Sequence, residues 1–309
     1  MTTPSYKPSR VVIIGTGAVG TTTAYTLLLR HRMTELVLID VNHKKALGEA
    51  LDMNHGLPFV GGVKLWAGDY EDCAEADIII VTAGTSQKPG ETRIDLLNRN
   101  VVIFKDIIQK VTQYNHNGIL LIATNPVDIL SYVTWKISGW DHHRVIGSGT
   151  LLDSARFRYL IGSHKEIDSR SIHGHIIGEH GDSELPVWSL ANIAGTPLNF
   201  DETEQNEIFA DTKNAAYEII DAKGSTSYAI ALALDRIVSA ILLNESAVLS
   251  VSTLLHNFNG ISDVYLGVPS IVDRSGIRET LDLPLNKEEA ILFQLSANKL
   301  KREISKLNL

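Results

Sequence analysis

A single cysteine, Cys73, stands among 309 residues. One thiol closes no internal disulfide and builds no Cys-rich zinc site. An excess of basic charge is missing too: 28 Lys and Arg against 36 Asp and Glu leave a net charge of −8. A protein whose main partner is nucleic acid shows the opposite balance, so that partner is not expected. Long apolar runs are also absent. The most apolar stretch, Ala229–Leu243, is broken by Asp235 and Arg236, and none approaches the roughly 18 apolar residues that span a bilayer. The first apolar run, Val11–Ile14, ends at once in glycines and does not read as a signal peptide. The expectation is a cytoplasmic chain with no membrane partner. What the sequence does hold is 44% hydrophobic residues. That is enough to fill the core of one large unit or two joined ones, and it excludes disorder as the main state.

The first half alternates two patterns. Val11–Ile14, Leu36–Ile39, Val63–Trp66, Ile78–Val81, Ile119–Ala123 and Arg144–Ile146 are short, apolar and mostly β-branched, as strands buried on both faces are. Helical patterns lie between several of them at Ala18–His31, His43–His55, Ile94–Tyr114 and Val127–Ile137. This alternation predicts a doubly wound parallel sheet of the Rossmann type. After about residue 150 the pattern becomes mixed α+β. Leu151–Ile161, Glu204–Asp221, Ser227–Leu243 and Lys287–Leu309 read as helices. Ser171–Ile177, Ala247–Leu255 and Val264–Val272 read as strands, the last two antiparallel. With no linker to mark a seam, the expected division is 1–150 for a dinucleotide and 151–309 for substrate.

The first strand runs into Gly15-Thr16-Gly17-Ala18-Val19-Gly20. Alone, G-x-G-x-x-G is just a glycine turn. Between a strand and a helix it is a pyrophosphate cradle: Gly15 for the turn, Gly17 for close approach, Gly20 for helix–strand packing. Asp40 closes the second strand, where a carboxylate accepts bonds from the adenosine ribose and repels a 2′-phosphate, so NAD is favoured over NADP. Asp40 also reads as a helix N-cap before His43. Thr82-Ala83-Gly84 follows the fourth strand, at the edge where such sheets bind ligands, or is a plain loop.

Moving a hydride to or from a carbonyl carbon calls for a proton donor–acceptor, and histidine suits neutral pH. Of eleven histidines, His142 and His143 beside Asp141 read as surface residues. His180 differs, because it sits in the polar, glycine-flanked turn Gly178-Glu-His-Gly-Asp-Ser183 after an apolar strand. Asp153 and Arg156 lie one helical turn apart and share a face, either for function or as an ordinary ion pair. His173, His175, His180 and Glu179 do not form a recognised metal-ligand pattern, and no metal is expected. Cys73 lies among acids that raise a thiol pKa, so it reads as a small side chain and not a nucleophile.

The motifs Gly15–Gly20, Gln87-Lys-Pro-Gly-Glu-Thr-Arg93, Thr124-Asn-Pro-Val-Asp128, Ile146–Arg156 and Gly178–Ser183 occur together and in order. Over nearly its whole length the chain resembles the lactate/malate dehydrogenase family, on its bacterial lactate side. The resemblance implies NAD as cofactor, with Gly15, Gly17, Ala18, Val19, Gly20, Asp40, Thr82, Ala83, Gly84, Asn125, Ser148 and Ile230 around it. It implies His180 as the acid/base, Asp153 as the carboxylate that holds its ring, and Arg156 as a fork for the substrate carboxylate. It implies Arg93 as the carbonyl-polarising residue of a closing loop, Asn125 beside the substrate oxygen, and Thr226 at the pocket. Malate dehydrogenases tend to carry arginine at the position of Gln87. A neutral Gln87 would leave a second carboxylate unpaired, so pyruvate/L-lactate is favoured over oxaloacetate/malate. Lys88 beside it could tolerate some dicarboxylate.

The resemblance further implies a homotetramer, and Arg158 with His173 as a fructose 1,6-bisphosphate site between subunits. Arg158 can equally be a solvated helix residue and His173 a plain strand residue. A malate or broader L-2-hydroxy acid dehydrogenase stays the alternative among enzymes, and a non-catalytic NAD-binding structural protein the alternative outside them.

Overall fold

The structure, a computed structural model, describes residues 9–85 and 93–307, with residues 93 and 94 described by backbone alone. Six strands build the first half of the sheet: β1 (Arg10–Ile14), β2 (Glu35–Ile39), β3 (Lys64–Ala67), β4 (Ile78–Val81), β5 (Ile119–Ile122) and β6 (Val145–Gly147). They are parallel, in the order β3-β2-β1-β4-β5-β6. The helices α1 (Ala18–Arg30), α2 (His43–Val60), α3 (Arg93–Tyr114) and α4 (Val127–Ser138) lie between them.

The buried positions of the strands are apolar because both sheet faces are covered; the charged residues Arg10, Glu35 and Lys64 stand at the strand starts. Alternate side chains point opposite ways. Val12, Ile14, Val37, Ile39, Ile79 and Val81 join one core with Phe104 of α3 and Leu130 of α4. Val11, Ile13, Leu36, Leu38, Ile78 and Ile80 join the other with Leu27 of α1 and Ala50 of α2. Each fully buried Ile or Leu contributes on the order of 1.5–3 kcal/mol, which outweighs the modest helix propensity of the flanking helices.

The second half adds α5 (Leu151–Lys165), the short strands β7 (Ile172–His173), β8 (Ile176–Ile177), β9 (Leu185–Pro186), β10 (Asn192–Ile193) and β11 (Thr196–Pro197), then α6 (Glu202–Lys223) and α7 (Tyr228–Leu242). The chain ends in the antiparallel β12 (Ala247–Leu254), β13 (Tyr265–Asp273) and β14 (Gly276–Thr280), and α8 (Lys287–Ile304). Ser252 of β12 pairs with Gly147 of β6, so one nine-stranded sheet, β14-β13-β12-β6-β5-β4-β1-β2-β3, runs through both halves.

Three expectations change. Ser171–Ile177 is not one strand: β7 pairs with β10 while β8 pairs with β9, in separate sheets. Gly174 lies between them, where a Cβ would press within 3.0 Å of Phe157. The helix expected over His43–His55 continues to Val60 through Pro58. The proline removes one i→i−4 bond, and the helix ends soon after, at Gly61 with φ 113°. The edge strand β14, with exposed Arg278 and Glu279, has too little apolar alternation to be seen in sequence; charges on an edge deter edge-to-edge pairing. Among the described residues no helix is long and apolar enough to cross a membrane.

Candidate active site

The carboxyl ends of β1, β4, β5 and β6 converge on one edge of the sheet, where open α/β sheets bind ligands. The glycines after β1 divide their tasks. A Cβ on Gly15 (φ 103°) would lie 2.6 Å from the Ala83 nitrogen, and one on Gly20 only 1.9 Å from the Gly15 oxygen. Those two glycines are required by packing. A Cβ on Gly17 would meet nothing within 4 Å, so its bareness leaves space and serves no contact. Gly17 caps α1 without any side-chain hydrogen bond, and the first turn, Ala18 and Val19 included, carries no acid. The helix therefore presents free N–H groups and positive dipole charge to that space.

Thr82 Oγ1 donates to the Gly15 oxygen at 2.7 Å, and Ala83 N to the Ile14 oxygen at 2.9 Å, which clamps the glycine turn to the end of β4. Gly84 passes so close to Thr124 that a Cβ would stand 2.5 Å from its methyl carbon. Asp40 Oδ2 accepts from Thr16 N (2.7 Å) and Thr16 Oγ1 (2.8 Å), and Oδ1 from Asn42 N (2.8 Å). Burial works against its charge, but the bonds from Thr16 and Asn42 prevail and hold its pKa below the usual value. The cap of α2 is Asn42, which accepts from Lys45 N, and not Asp40 as the sequence suggested. These residues fit a dinucleotide: an open phosphate cradle beside a fixed, ionised carboxylate at the end of β2.

Deeper along the same edge, α5 follows β6 and buries Asp153 in its first turn. Asp153 Oδ2 lies 2.6 Å from His180 Nδ1, and Oδ1 accepts from Arg156 Nη1 at 2.9 Å. A carboxylate only accepts, so Nδ1 carries the proton and Nε2 is the nitrogen left for another partner. Burial alone would lower the His180 pKa. The charge of Asp153 and the hydrogen bond more than offset it, and the imidazole is raised to about 9. The His180 side chain stays 23% exposed, against 3% for that of Asp153. Gly178 and Gly181, both at positive φ, flank it and set the turn.

Three residues that sequence reasoning left without a role support this group. Asp128, fully buried in the first turn of α4, accepts from His180 N (2.8 Å) and from Ser252 Oγ (2.5 Å). Burial pushes its pKa up to about 6. Ser252, on β12, thus ties the second half of the sheet to the histidine turn. Glu184 is buried beside His180 and Asp153. Burial first, then the Asp153 charge, pushes it up to about 8, so it holds its proton at neutral pH. Asp128 closes the quoted Thr124–Asp128 motif, and that position was the one available signal. Glu184 and Ser252 carried none.

Asn125 is exposed at the end of β5, and its carbonyl accepts from Asn100 Nδ2 at 3.3 Å. Ser148, buried at the end of β6, donates its N–H to the Ile122 oxygen at 2.8 Å. Thr226 and Ile230 are half-buried at the start of α7, and Ile230 packs against the core beneath α1. Gln87 lies outside the described residues, as does the side chain of Arg93, whose backbone opens α3.

Arg158 is half-buried on α5, its Nε donating to the Ser154 oxygen at 3.2 Å, and His173 is exposed on β7. Both act on His175 between them: burial, then Arg158, then His173 bring its pKa down to about 4. Cys73 is buried, and burial with Asp72 pushes its thiol up to about 12, which leaves no thiolate for chemistry. His142 and His143, expected at the surface, are instead half-buried.

Comparison with known proteins agrees with this geometry. Residues 9–147 match the model of the lactate/malate dehydrogenase NAD binding domain, and residues 150–308 that of the lactate/malate dehydrogenase alpha/beta C-terminal domain. The chain belongs to the lactate/malate dehydrogenase family, and is an NAD-using oxidoreductase. It is 54% identical to an L-lactate dehydrogenase of Acetivibrio thermocellus over 97% of this chain and 98% of that one. It is 49% identical to L-lactate dehydrogenase 1 of Clostridium acetobutylicum, over 97% and 99%. The crystal structure of the minor L-lactate dehydrogenase from Enterococcus mundtii in its ligands-bound form superposes with a TM-score of 0.96 at 45% identity, covering 98% of this chain and 100% of that one.

Proposed function

We propose that this chain is an L-lactate dehydrogenase that interconverts pyruvate and L-lactate with His180 as acid/base. The observation that carries the reading is the Asp153–His180–Arg156 constellation: one buried carboxylate holds a proton on an imidazole near pKa 9 and, one helical turn away, a guanidinium suited to a carboxylate. NADH, bound along Gly15–Gly20 with Asp40 at its ribose and Thr82–Gly84, Asn125, Ser148 and Ile230 along its length, supplies the hydride.

In the direction of reduction, Arg156 forks onto the pyruvate carboxylate. Its own partner Asp153 fixes its position, so little side-chain entropy is lost on binding. His180 Nε2–H then points at the carbonyl oxygen. As negative charge grows on that oxygen, the proton passes from Nε2 to it, and the imidazole becomes neutral. Asp153 keeps the Nδ1 proton in place throughout and stabilises the charged ring of the starting state. Asp128 holds the backbone of His180, so the ring does not drift as its charge changes. Arg93 and Asn125 polarise the carbonyl, and a neutral Gln87 favours a substrate that ends in a methyl group over one with a second carboxylate. Thr226 borders the methyl pocket. Oxidation of lactate reverses every step.

In this reading residues 1–150 serve the cofactor and 151–309 most of the substrate chemistry, in a cytoplasmic homotetramer. Arg158 and His173 bind fructose 1,6-bisphosphate across a subunit contact; what supports this is their shared position around His175. Loss of NADH absorbance with pyruvate, compared with oxaloacetate and longer 2-oxo acids, tests the assignment. Pyruvate should be preferred by about 100-fold or more in kcat/KM. An enzyme that favours oxaloacetate is a malate dehydrogenase, and a chain that binds NADH but turns over none of them is a non-catalytic binder. Rate against pyruvate concentration from pH 6 to 8, with and without the bisphosphate, tests the effector; superimposable curves retire it.

A further inference from the structure

At the opposite end of β6 from the catalytic edge, three histidines meet. The ring of His142 lies 4.1 Å from that of His143 and 4.6 Å from that of His256, centroid to centroid. His142 and His143 precede β6, and His256 follows β12. Together they line a cavity of about 350 Å³ that Glu279 and Asp282 also border. Nitrogens of His142 and His143 and a carboxylate oxygen of Asp141 lie within 4.8 Å of one another. None of these residues has a part in the reaction described above.

We propose that Asp141, His142 and His143, with His256 stacked edge-on beside them, form a site for one divalent transition cation of the zinc class. The hydrogen bonds favour metal-ready tautomers. His143 Nδ1 lies 2.5 Å from the Ile277 oxygen. A carbonyl only accepts, so Nδ1 carries the proton and Nε2 keeps its lone pair for a metal. His142 Nδ1 faces Asp141 Oδ1 at 3.3 Å, the carboxylate–imidazole pairing that orients a ligating histidine and raises its basicity. Asp141 is held in turn by the His143 backbone N–H at 3.0 Å.

Imidazole with one carboxylate suits zinc, nickel or copper and not the all-oxygen preference of magnesium or calcium. Of the cations nearby, Arg278 is engaged by Asp273 at 3.4 Å and by Glu279 at 3.8 Å, and Arg144 donates to the His116 oxygen at 2.8 Å. The site joins three elements: the entry to β6, the edge strand β14 through Ile277, and the turn after β12. The backbone packing there is tight, since a Cβ on Gly276 would stand 2.1 Å from the His143 oxygen. A bound cation would therefore pin the edge of the sheet and leave the catalytic edge unchanged.

The test is a titration of chelator-stripped protein with Zn2+ by calorimetry, and with Co2+ by visible absorption, whose band intensities report coordination number. One cation per chain is expected, with a Tm rise of about 5 °C at roughly a hundredfold excess over Kd and no change in pyruvate turnover. His142→Gln with His143→Gln should abolish the binding and the Tm response. The milder Asp141→Asn should weaken binding by about 10–100-fold, and it carries the test if the double variant does not fold. Three results would overturn the proposal: no stoichiometric binding, binding that survives these substitutions, or a cation that blocks turnover and is displaced by substrate and so sits at His180.

Discussion

Replacing Asp153 by asparagine isolates what the buried carboxylate does for His180. The change keeps size and shape but removes the charge that opposes burial. A pKa raised from 6.5 to about 9 corresponds to roughly 3 kcal/mol at about 1.4 kcal/mol per unit. Asp153, the leading favourable contribution, accounts for most of it. In the proposed mechanism, reduction of pyruvate uses the protonated ring. In the parent enzyme this form persists up to about pH 9 and is lost above it, so the reduction rate should fall as pH rises through about 9. In Asp153→Asn burial is no longer opposed by a full charge, and the descending limb should move to 6.5 or below. At pH 7.5 the loss in kcat/KM for pyruvate should be about 10-fold or more, because at most about a tenth of the rings then keep the proton. Arg156 loses its charged partner too, so KM for pyruvate should rise. Initial rates from NADH absorbance between pH 5 and 10 give both limbs. A variant whose limb stays near pH 9 would refute the argument, because the proton would then be held by something other than Asp153.

Other consequences are sharper in contrast than alone. Gly17→Ala should fold normally and raise KM for NADH about tenfold, since its Cβ meets only open space that the pyrophosphate would occupy. Gly20→Ala should lower Tm by about 5 °C, because its Cβ collides with the Gly15 oxygen; thermal melts and NADH kinetics on the pair separate the two roles. Glu184, raised from 4.5 to about 8, binds its proton more tightly folded than unfolded, so the stability it contributes is lost as pH rises from 4.5 through 8. Glu184→Gln cannot ionise, and its Tm should decline less than the parent's between pH 5 and 9; parallel declines would contradict the burial of that charge. Gln87→Arg should turn the preference toward oxaloacetate by about 100-fold or more, and an unchanged ratio of kcat/KM values would remove Gln87 from the specificity argument.

The first half of the fold was legible because its physics is local. Strands such as Ile78–Val81, apolar at every position, must be covered on both faces, and that alone demands helices on both sides of a parallel sheet. Gly15–Gly20 was legible for a similar reason: turn, cradle and helix start are consecutive in the chain. The Asp153–Arg156 pair could be placed on one face from helical spacing. The second half was harder. The run Ser171–Ile177 is apolar enough for one strand, yet its two ends pair with different partners, and no local pattern records a partner.

The sequence by itself therefore determined the parallel half of the sheet, the phosphate cradle and the residue types available for proton transfer and carboxylate binding. Only the tertiary structure decided their electrical state. His180 is 27 residues from Asp153, 52 from Asp128, and shares the latter with Ser252. Its raised pKa comes from burial, charge and hydrogen bonds among groups that meet only when β5, β6 and β12 lie side by side. The same holds for His142, His143 and His256. Two of them read as surface residues in sequence, because burial depends on β12 and β14 folding back beside the entry to β6, which the local sequence does not encode.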